Sequence, residues 1–274
     1  MDTRRPIFFV SDSTAITAHT LGKSLLSQFE NIQFSQTILP FVNTVERARQ
    51  AVAKINRAAK KSGTRPLVFS TLINSQMRDV ILTCEGVVFG LFDPFLSRLE
   101  TELSTESTHS IGRYHRIEDD TYDVRMDAVN YALNNDDGVS TKYFDKADII
   151  LVGVSRTGKT PTCLFLGMQF GVYAANYPIT EDDLIEHVYK LPSVLQPFHK
   201  KLFGLTINPD RLQQIRSARR TESRYSTLTQ CYKEVSMAEA MFSQDKIPCL
   251  NVTSISVEEI AATLIRRGKL QRRF

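Results

Sequence analysis

Residues 148–167, "DIILVGVSRTGKTPTCLFLG", constrain the fold more tightly than any other stretch of the chain. An apolar, β-favouring run ends at Gly153, a loop follows, and apolar residues resume at helical spacing after Lys159 and Thr160. Gly153-Val154-Ser155-Arg156-Thr157-Gly158-Lys159-Thr160 matches GxxxxGK[ST] at every specified position. With glycine near ~7% of residues, such a string arises by chance in roughly one chain in a hundred. The flanking strand and helix narrow the odds further, because they let backbone N–H groups and a helix N-terminus face an anion. The pattern therefore predicts a phosphate-binding loop over 153–160. Lys159 would meet the terminal phosphate charges and act in catalysis, and the Thr160 hydroxyl would ligate Mg²⁺. An ordinary strand-to-helix turn is the competing reading. Pro161 fits either, since proline is tolerated in the first helical turn.

The rest of the chain repeats this strand-then-helix alternation. "PIFFV", "FSQTILPF" and "RPLVFSTL" read as strands, separated by helical patterns in "ITAHTLGKSLLSQF" and "VERARQAVAKINRAAKKSG" and followed by a further helical stretch. The pattern fades between about 100 and 122 into a polar, Ser/Thr-rich linker or loop. Helical spacing returns in "YDVRMDAVNYALNNDDG". Strand candidates "ADIILVGV", "VYAANYPI", "HKLFGLTI" and "IPCLNVTS" then alternate with helices over 159–170, 209–221, 227–243 and 256–267. The last opens on Ser256-x-x-Glu259, a capping-box pattern. Alternating strands and helices predict an α/β fold with parallel sheets. We read it as an N-terminal α/β domain over 1–122, with the linker at its end, and a C-terminal P-loop kinase-like α/β domain over 123–274. No internal repeat is evident.

Composition excludes more than it assigns. The 34 basic and 30 acidic residues leave a net charge of +4, too mild and dispersed to predict nucleic acid, and compatible with a small anionic ligand. No apolar run approaches the roughly 18 residues of a membrane span, and the N-terminus lacks a signal-peptide h-region. A cytoplasmic protein is expected. Cys84, Cys163, Cys231 and Cys249 share no metal-ligand spacing and read as reduced and mostly buried. The five histidines form no HExxH-like pair, so no transition metal is expected.

Three further clusters can carry chemistry. In "SDSTAIT", the oxygens of Ser11, Asp12, Ser13 and Thr14 lie where a strand meets a helix, suited to a phosphate or metal or, equally, to helix capping by Asp12 or Ser13. In "NNDDGVS", Asp136 and Asp137 follow a helix whose C-terminus disfavours two carboxylates, which points to Mg²⁺ or general-base work. A solvated turn is the alternative. Asp137 is the candidate base. Arg211, Arg216, Arg219, Arg220 and Arg224, with the tail "IRRGKLQRRF", read as solvated charge runs from which one or two arginines can neutralise phosphate or dock an acidic partner.

"VSDSTAITAHTLGKSLLSQF", "LPFVNTVERAR", "RPLVFSTL", "NNDDG", "ILVGVSRTGKTPTCLFLGMQFGVYAANYPI", "HKLFGLTINPDRLQQIR", "SRYSTL" and "NVTSISVEEIA" occur in this order over nearly the whole chain. Together they resemble the bacterial phosphoenolpyruvate synthase regulatory proteins. Regulators of pyruvate, phosphate dikinase are close relatives of that family, and "SDSTAITAHTLG" looks more like the synthase branch. The resemblance implies a bifunctional enzyme. It would inactivate phosphoenolpyruvate synthase by phosphorylating a threonine beside the target's catalytic histidine, with ADP as donor. It would reactivate the target by attack of inorganic phosphate on the phosphothreonine, releasing pyrophosphate. The family's nucleotide loop carries over onto Gly153–Thr160 without departure, while the base is not given by it. A small-molecule kinase and a nucleotide-gated switch without catalysis are the other function classes a P-loop supports. The oligomeric state stays open, a homo-oligomer included.

Overall fold

Ile7, Phe8, Phe9 and Val10 are all buried, although successive residues of a strand point to opposite faces. A strand apolar on both sides must be covered on both sides, which is the signature of a parallel sheet with helices above and below. In the computed structural model, which describes residues 4–108, 119–138, 141–180, 183, 190–219 and 224–273, this strand is β1 (Arg5–Val10). The chain divides into two compact units, Met1–Ile117 and Glu118–Phe274, each built on a four-stranded, all-parallel sheet. The α/β class is as the sequence indicates.

In the first unit, α1 (Ile16–Leu26), β2 (Phe34–Leu39), α2 (Val45–Ser62), β3 (Leu67–Ser70), α3 (Ser75–Leu82), β4 (Val87–Gly90) and α4 (Asp93–Leu103) follow β1. The strand order is β2-β1-β3-β4, with Phe8 aligned to Thr37 on one side and Val68 on the other. Phe8, Val10 and Val68 pack with Ala48, Ile55, Met77 and Ile81 of α2 and α3, while Ile7, Phe9 and Phe69 pack with Ala18 and Leu26 of α1 on the opposite face. Gly22 lets α1 sit close: a Cβ there would fall 2.6 Å from the Phe9 ring. Strand β4 is absent from the sequence reading because four residues on a sheet edge, none fully buried, leave too short a pattern.

Two expectations for this unit are corrected. Neither Asp12 nor Ser13 caps α1. Its N-cap is Ala15, in a left-handed conformation with no side-chain cap bond. The Asp12 carboxylate instead accepts from the Ile73 amide at 3.1 Å, and the Ser11 hydroxyl accepts from the Ser13 amide. Burial raises the Asp12 pKa against the lowering effect of that amide. The polar stretch 100–122 is also entered by helix from both ends, since α4 runs to Leu103 and α5 (Asp119–Asn134) begins at Asp119; positions 109–118 lie outside the described residues.

In the second unit, α5 precedes β5 (Ile149–Gly153), α6 (Lys159–Phe170), β6 (Ala174–Pro178), β7 (Leu202–Thr206), α7 (Pro209–Ser217), α8 (Leu228–Gln244), β8 (Cys249–Asn251) and α9 (Val257–Arg267). The strand order is β6-β5-β7-β8, the same pattern as in the first unit with β5 in the place of β1. Its core joins the fully buried β5 to Leu166, Phe203, Leu212, Val235, Phe242 and Leu264. Helix α6 packs closely on α5 because a Cβ on Gly167 would lie 3.0 Å from the Ala128 backbone. The expected capping box forms: the Glu259 amide donates to Ser256 Oγ, and the Ser256 amide donates to the Glu259 carboxylate at 2.7 Å. The strand order turns back between β5 and β7, and in open parallel sheets such a switch point opens a crevice at the carboxyl ends of the strands. The loop after β5 lies there.

Among the described residues, no helix is long and apolar enough to cross a membrane. The cysteines are free; Cys163 and Cys231 are buried, but Cys84 is half-buried and Cys249 is exposed, which corrects the expectation that most are buried.

Candidate active site

The loop leaves β5 at a point where only glycine fits. A Cβ on Gly153 would lie 2.3 Å from the Leu205 carbonyl oxygen of the neighbouring strand. Gly158, the N-cap of α6, has open space around it but a φ of 82°, a left-handed conformation that costs glycine little. Arg156 also turns left-handed, at φ 78°. Within this turn the Thr157 hydroxyl donates to the Val154 carbonyl at 3.0 Å and the Thr162 hydroxyl to the Gly158 carbonyl at 2.8 Å.

Lys159 begins α6 and is 4% exposed. Its Nζ donates to the carbonyls of Gly153 at 2.9 Å and Val154 at 3.0 Å, so the ammonium rests at the entry of its own loop. Burial lowers its pKa to about 8. Asp137 is the strongest charge opposing that shift, Cys163 and Asp136 act in the same sense as Asp137, and Arg216 adds to the lowering.

The two adjacent aspartates separate into different environments. The Thr160 hydroxyl donates to Asp136 Oδ1 at 2.8 Å, and the same oxygen accepts a short hydrogen bond from Asn176 Nδ2. Asp137 has an exposed side chain and a left-handed backbone, φ 50°. Its amide donates to Asn176 Oδ1 at 3.1 Å, the Gly138 amide donates to the Asn176 carbonyl, and the Asn176 amide donates to the Asn135 carbonyl. A single fully buried asparagine of β6 therefore holds the whole Asn135–Gly138 turn against the loop.

A second layer lies beyond Ser155. Arg216, counted in the sequence among the solvated charges, is 1% exposed; its Nη2 donates to Glu234 Oε2 at 2.6 Å and to the Ser155 carbonyl at 3.4 Å. Its guanidinium lies 3.9 Å from the centre of the Tyr225 ring, whose hydroxyl donates to Ser155 Oγ at 2.9 Å. Gln230 Nε2 donates to Glu234 Oε1 at 2.9 Å. Arg211 and Arg219 are exposed, whereas Arg220 and the side chain of Arg224 lie outside the described residues.

The structure thus brings Lys159, Thr160, Asp136 and Asp137 to one place. It adds three residues that the sequence reading passes over, Asn176, Tyr225 and Glu234, and it buries Arg216, which that reading leaves in a solvated charge run. Two had a usable signal, a polar residue inside an otherwise buried strand for Asn176, and a charge one turn after Leu212 on the apolar face of its helix for Arg216. The site's hard oxygen donors, the Thr160 hydroxyl and the Asp136 carboxylate, suit Mg²⁺, which takes one or two protein oxygens and leaves its other positions to phosphates and water. Among the described residues no group of three His, Cys, Asp or Glu side chains is placed to hold a metal.

Comparison with known proteins fits this architecture. The model of the kinase/pyrophosphorylase family matches residues 7–265. A protein of Alkalilimnicola ehrlichii is 52% identical over 274 residues, covering 100% of this chain and 99% of its own length. Proteins of Pseudomonas putida and Pseudomonas savastanoi pv. phaseolicola are 50% and 51% identical over 272 residues, each covering 99% of both chains. All three are provisionally named phosphoenolpyruvate synthase regulatory proteins. By the family model that spans it and by its full-length similarity to these relatives, the chain belongs to the kinase/pyrophosphorylase family.

Proposed function

We propose that this protein regulates phosphoenolpyruvate synthase in both directions. It transfers the β-phosphoryl group of ADP to a threonine hydroxyl of the synthase, and it removes that group by transfer to inorganic phosphate. In the first reaction the threonine oxygen attacks the β-phosphorus, the bond to the AMP oxygen breaks, and the hydroxyl proton passes to Asp137. In the second, a phosphate oxygen attacks the phosphothreonine phosphorus, pyrophosphate forms, and the threonine oxygen regains a proton. The observation that carries this reading is the coupling of a phosphate-binding loop to a carboxylate turn, through Thr160 and Asp136, in a chain of this family.

Phosphoryl transfer needs positioning and charge neutralisation more than covalent help from the protein. Gly153–Thr160 cradles the phosphates, Lys159 offsets their terminal charge, and the exposed Asp137 carboxylate is free to take a proton, whereas Asp136 is committed to Thr160 and Asn176. Mg²⁺ held by Thr160 and Asp136 would supply further neutralisation of phosphate charge. The test is direct. The protein is incubated with phosphoenolpyruvate synthase and ADP, and phosphothreonine and AMP are sought by mass spectrometry; phosphate is then added and pyrophosphate measured. Formation of neither product sinks the reading. Transfer only to pyruvate, phosphate dikinase would keep the chemistry and change the target.

A further inference from the structure

A cavity of about 290 Å³ lies beside the entry of the loop, lined by Ser155, Pro178, Ile179, Thr180, Tyr225, Gln230 and Glu234. Three contacts tie it to the reacting groups. The Ile179 amide donates at 3.0 Å to the Gly153 carbonyl, the same oxygen that accepts from Lys159 Nζ. Ser155 belongs to the loop itself. On the other side, a Cβ on Gly138 would lie 3.0 Å from the Tyr177 ring and 3.4 Å from Pro178, so the turn carrying Asp137 rests on the segment that forms the cavity wall. The cavity wall is therefore bonded to the carbonyl that Lys159 contacts and lies against the turn that carries Asp137.

Its position along the loop gives it a polarity. In a loop of this type the lysine reaches the terminal phosphates and the backbone cradles the inner ones, so the phosphoryl group to be transferred lies near the ammonium and the nucleoside lies away from it. Lys159 Nζ is bonded to Gly153 and Val154, at the Ser155 side of the loop. The lining also disfavours an anion. Among the described lining residues there is no lysine or arginine, and the one carboxylate among them, Glu234, is paired to Arg216. Pro178, Ile179 and Tyr225 supply an apolar wall, while Thr180 and Gln230 supply neutral polar groups.

We propose that this cavity receives the hydroxyl-bearing segment of the acceptor protein, placing its threonine between Lys159 and Asp137. The assignment rests on the phosphoryl-transfer reading above. The acceptor oxygen would attack phosphorus from the cavity side while AMP leaves from the nucleoside side, and its proton would go to Asp137. In reactivation the threonine itself would stay in the cavity with its phosphoryl group outside it, in the place of the ADP β-phosphate beside Lys159, and inorganic phosphate would attack from the place of the ADP α-phosphate.

Filling the cavity tests this. Thr180→Trp alters an exposed position at its rim, and Ile179→Trp alters its wall. In the full chain, both are expected to raise KM for phosphoenolpyruvate synthase, and for its phosphorylated form, by about tenfold or more, the size of a modest misfit in a binding pocket. ADP affinity, measured by calorimetry, is expected to stay within about twofold, because the phosphate loop is untouched. Retained ADP affinity also shows that a variant is folded; should Ile179→Trp fail that check, Thr180→Trp alone decides. An unchanged KM in the folded variants overturns the assignment. A fall in ADP affinity with unchanged KM also overturns it and places the nucleoside in the cavity. Lys159→Ala, assayed in parallel, separates the two layers: its inactivity beside an unchanged KM in the tryptophan variants leaves the transfer reading standing and the acceptor pocket refuted. Absence of transfer by the unaltered protein overturns both.

Discussion

The Thr160 hydroxyl donates a 2.8 Å hydrogen bond to Asp136, a residue 24 positions earlier in the turn after α5, and so joins the Gly153–Thr160 loop to the carboxylate turn. The bond sets a division of roles between neighbours. Asp136 is held by Thr160 and Asn176, while Asp137 points its side chain to solvent.

Lys159→Ala is expected to abolish ADP-dependent phosphorylation and phosphate-dependent reactivation together. One phosphate-cradling loop of this type is legible in the 274 residues, and both reactions hold an anion in line with the same threonine oxygen. The loss should be about 10²-fold or more, as for removal of other charge-stabilising groups at reacting centres. Pyrophosphate release at the normal rate by the lysine variant, with loss of it in Ser13→Ala/Thr14→Ala, would move reactivation to the N-terminal loop.

Asp137→Asn and Asp136→Asn should fail differently. Without Asp137 the proton has no acceptor, so kcat falls by about 10²-fold, within the usual range for general-base catalysis, while ADP affinity is retained. Without the Asp136 charge the Thr160 contact and the oxygen set for Mg²⁺ are weakened, so the Mg²⁺ concentration for half-maximal rate rises. Normal rates in both variants across a pH series would reduce these carboxylates to turn residues.

The affinity for ADP should decline as pH rises through about 8. The sign follows from the buried lysine: its pKa in the folded protein is lowered to about 8, so above that value the free site holds a neutral amine, and phosphate binding must return the proton. Calorimetry in buffers of different ionisation enthalpy should detect proton uptake near pH 8–9, approaching one proton and a roughly tenfold loss of affinity per pH unit well above the pKa. The same shift has a stability sign. Between about pH 8 and the ordinary lysine value, the unfolded chain binds more protons, so the contribution of Lys159 to stability becomes more favourable as pH rises. PH-independent ADP binding between 7 and 9.5 would refute the coupling.

Glu234→Gln should destabilise the protein by about 3 kcal/mol, because it leaves the fully buried Arg216 guanidinium without its charge partner. Replacing both, as Arg216→Met/Glu234→Leu, should recover much of that loss in a denaturant titration, since a buried ion pair often breaks even against apolar side chains. The Ser155 carbonyl and the Tyr225 ring would still lose Arg216, so activity should fall in the double variant even where stability returns. A Glu234→Gln protein as stable as the unaltered one would show that the pair is not the anchor of this layer.

Local pattern determined what depends on neighbours in the chain. The run into Gly153 and the helix after Lys159 announce a strand, a glycine-bounded loop and a helix, because those elements are set by periodicity, glycine tolerance and terminal N–H groups within a few residues. Ser256 and Glu259 likewise close their capping box three residues apart. What the tertiary structure decided lies across the sheet. Thr160 meets Asp136 at a separation of 24 residues, Asn176 meets Asp136 at 40, Arg216 meets Ser155 at 61 and Tyr225 meets Ser155 at 70. Those meetings exist because β5 lies between β6 and β7, an order that crossover connections impose and no local window encodes. The same order buries Arg216, which the sequence presents as one more surface charge, and makes Asn176 the clamp of the turn. It also separates Asp136 from Asp137, adjacent residues whose roles differ only in what the fold puts beside each of them.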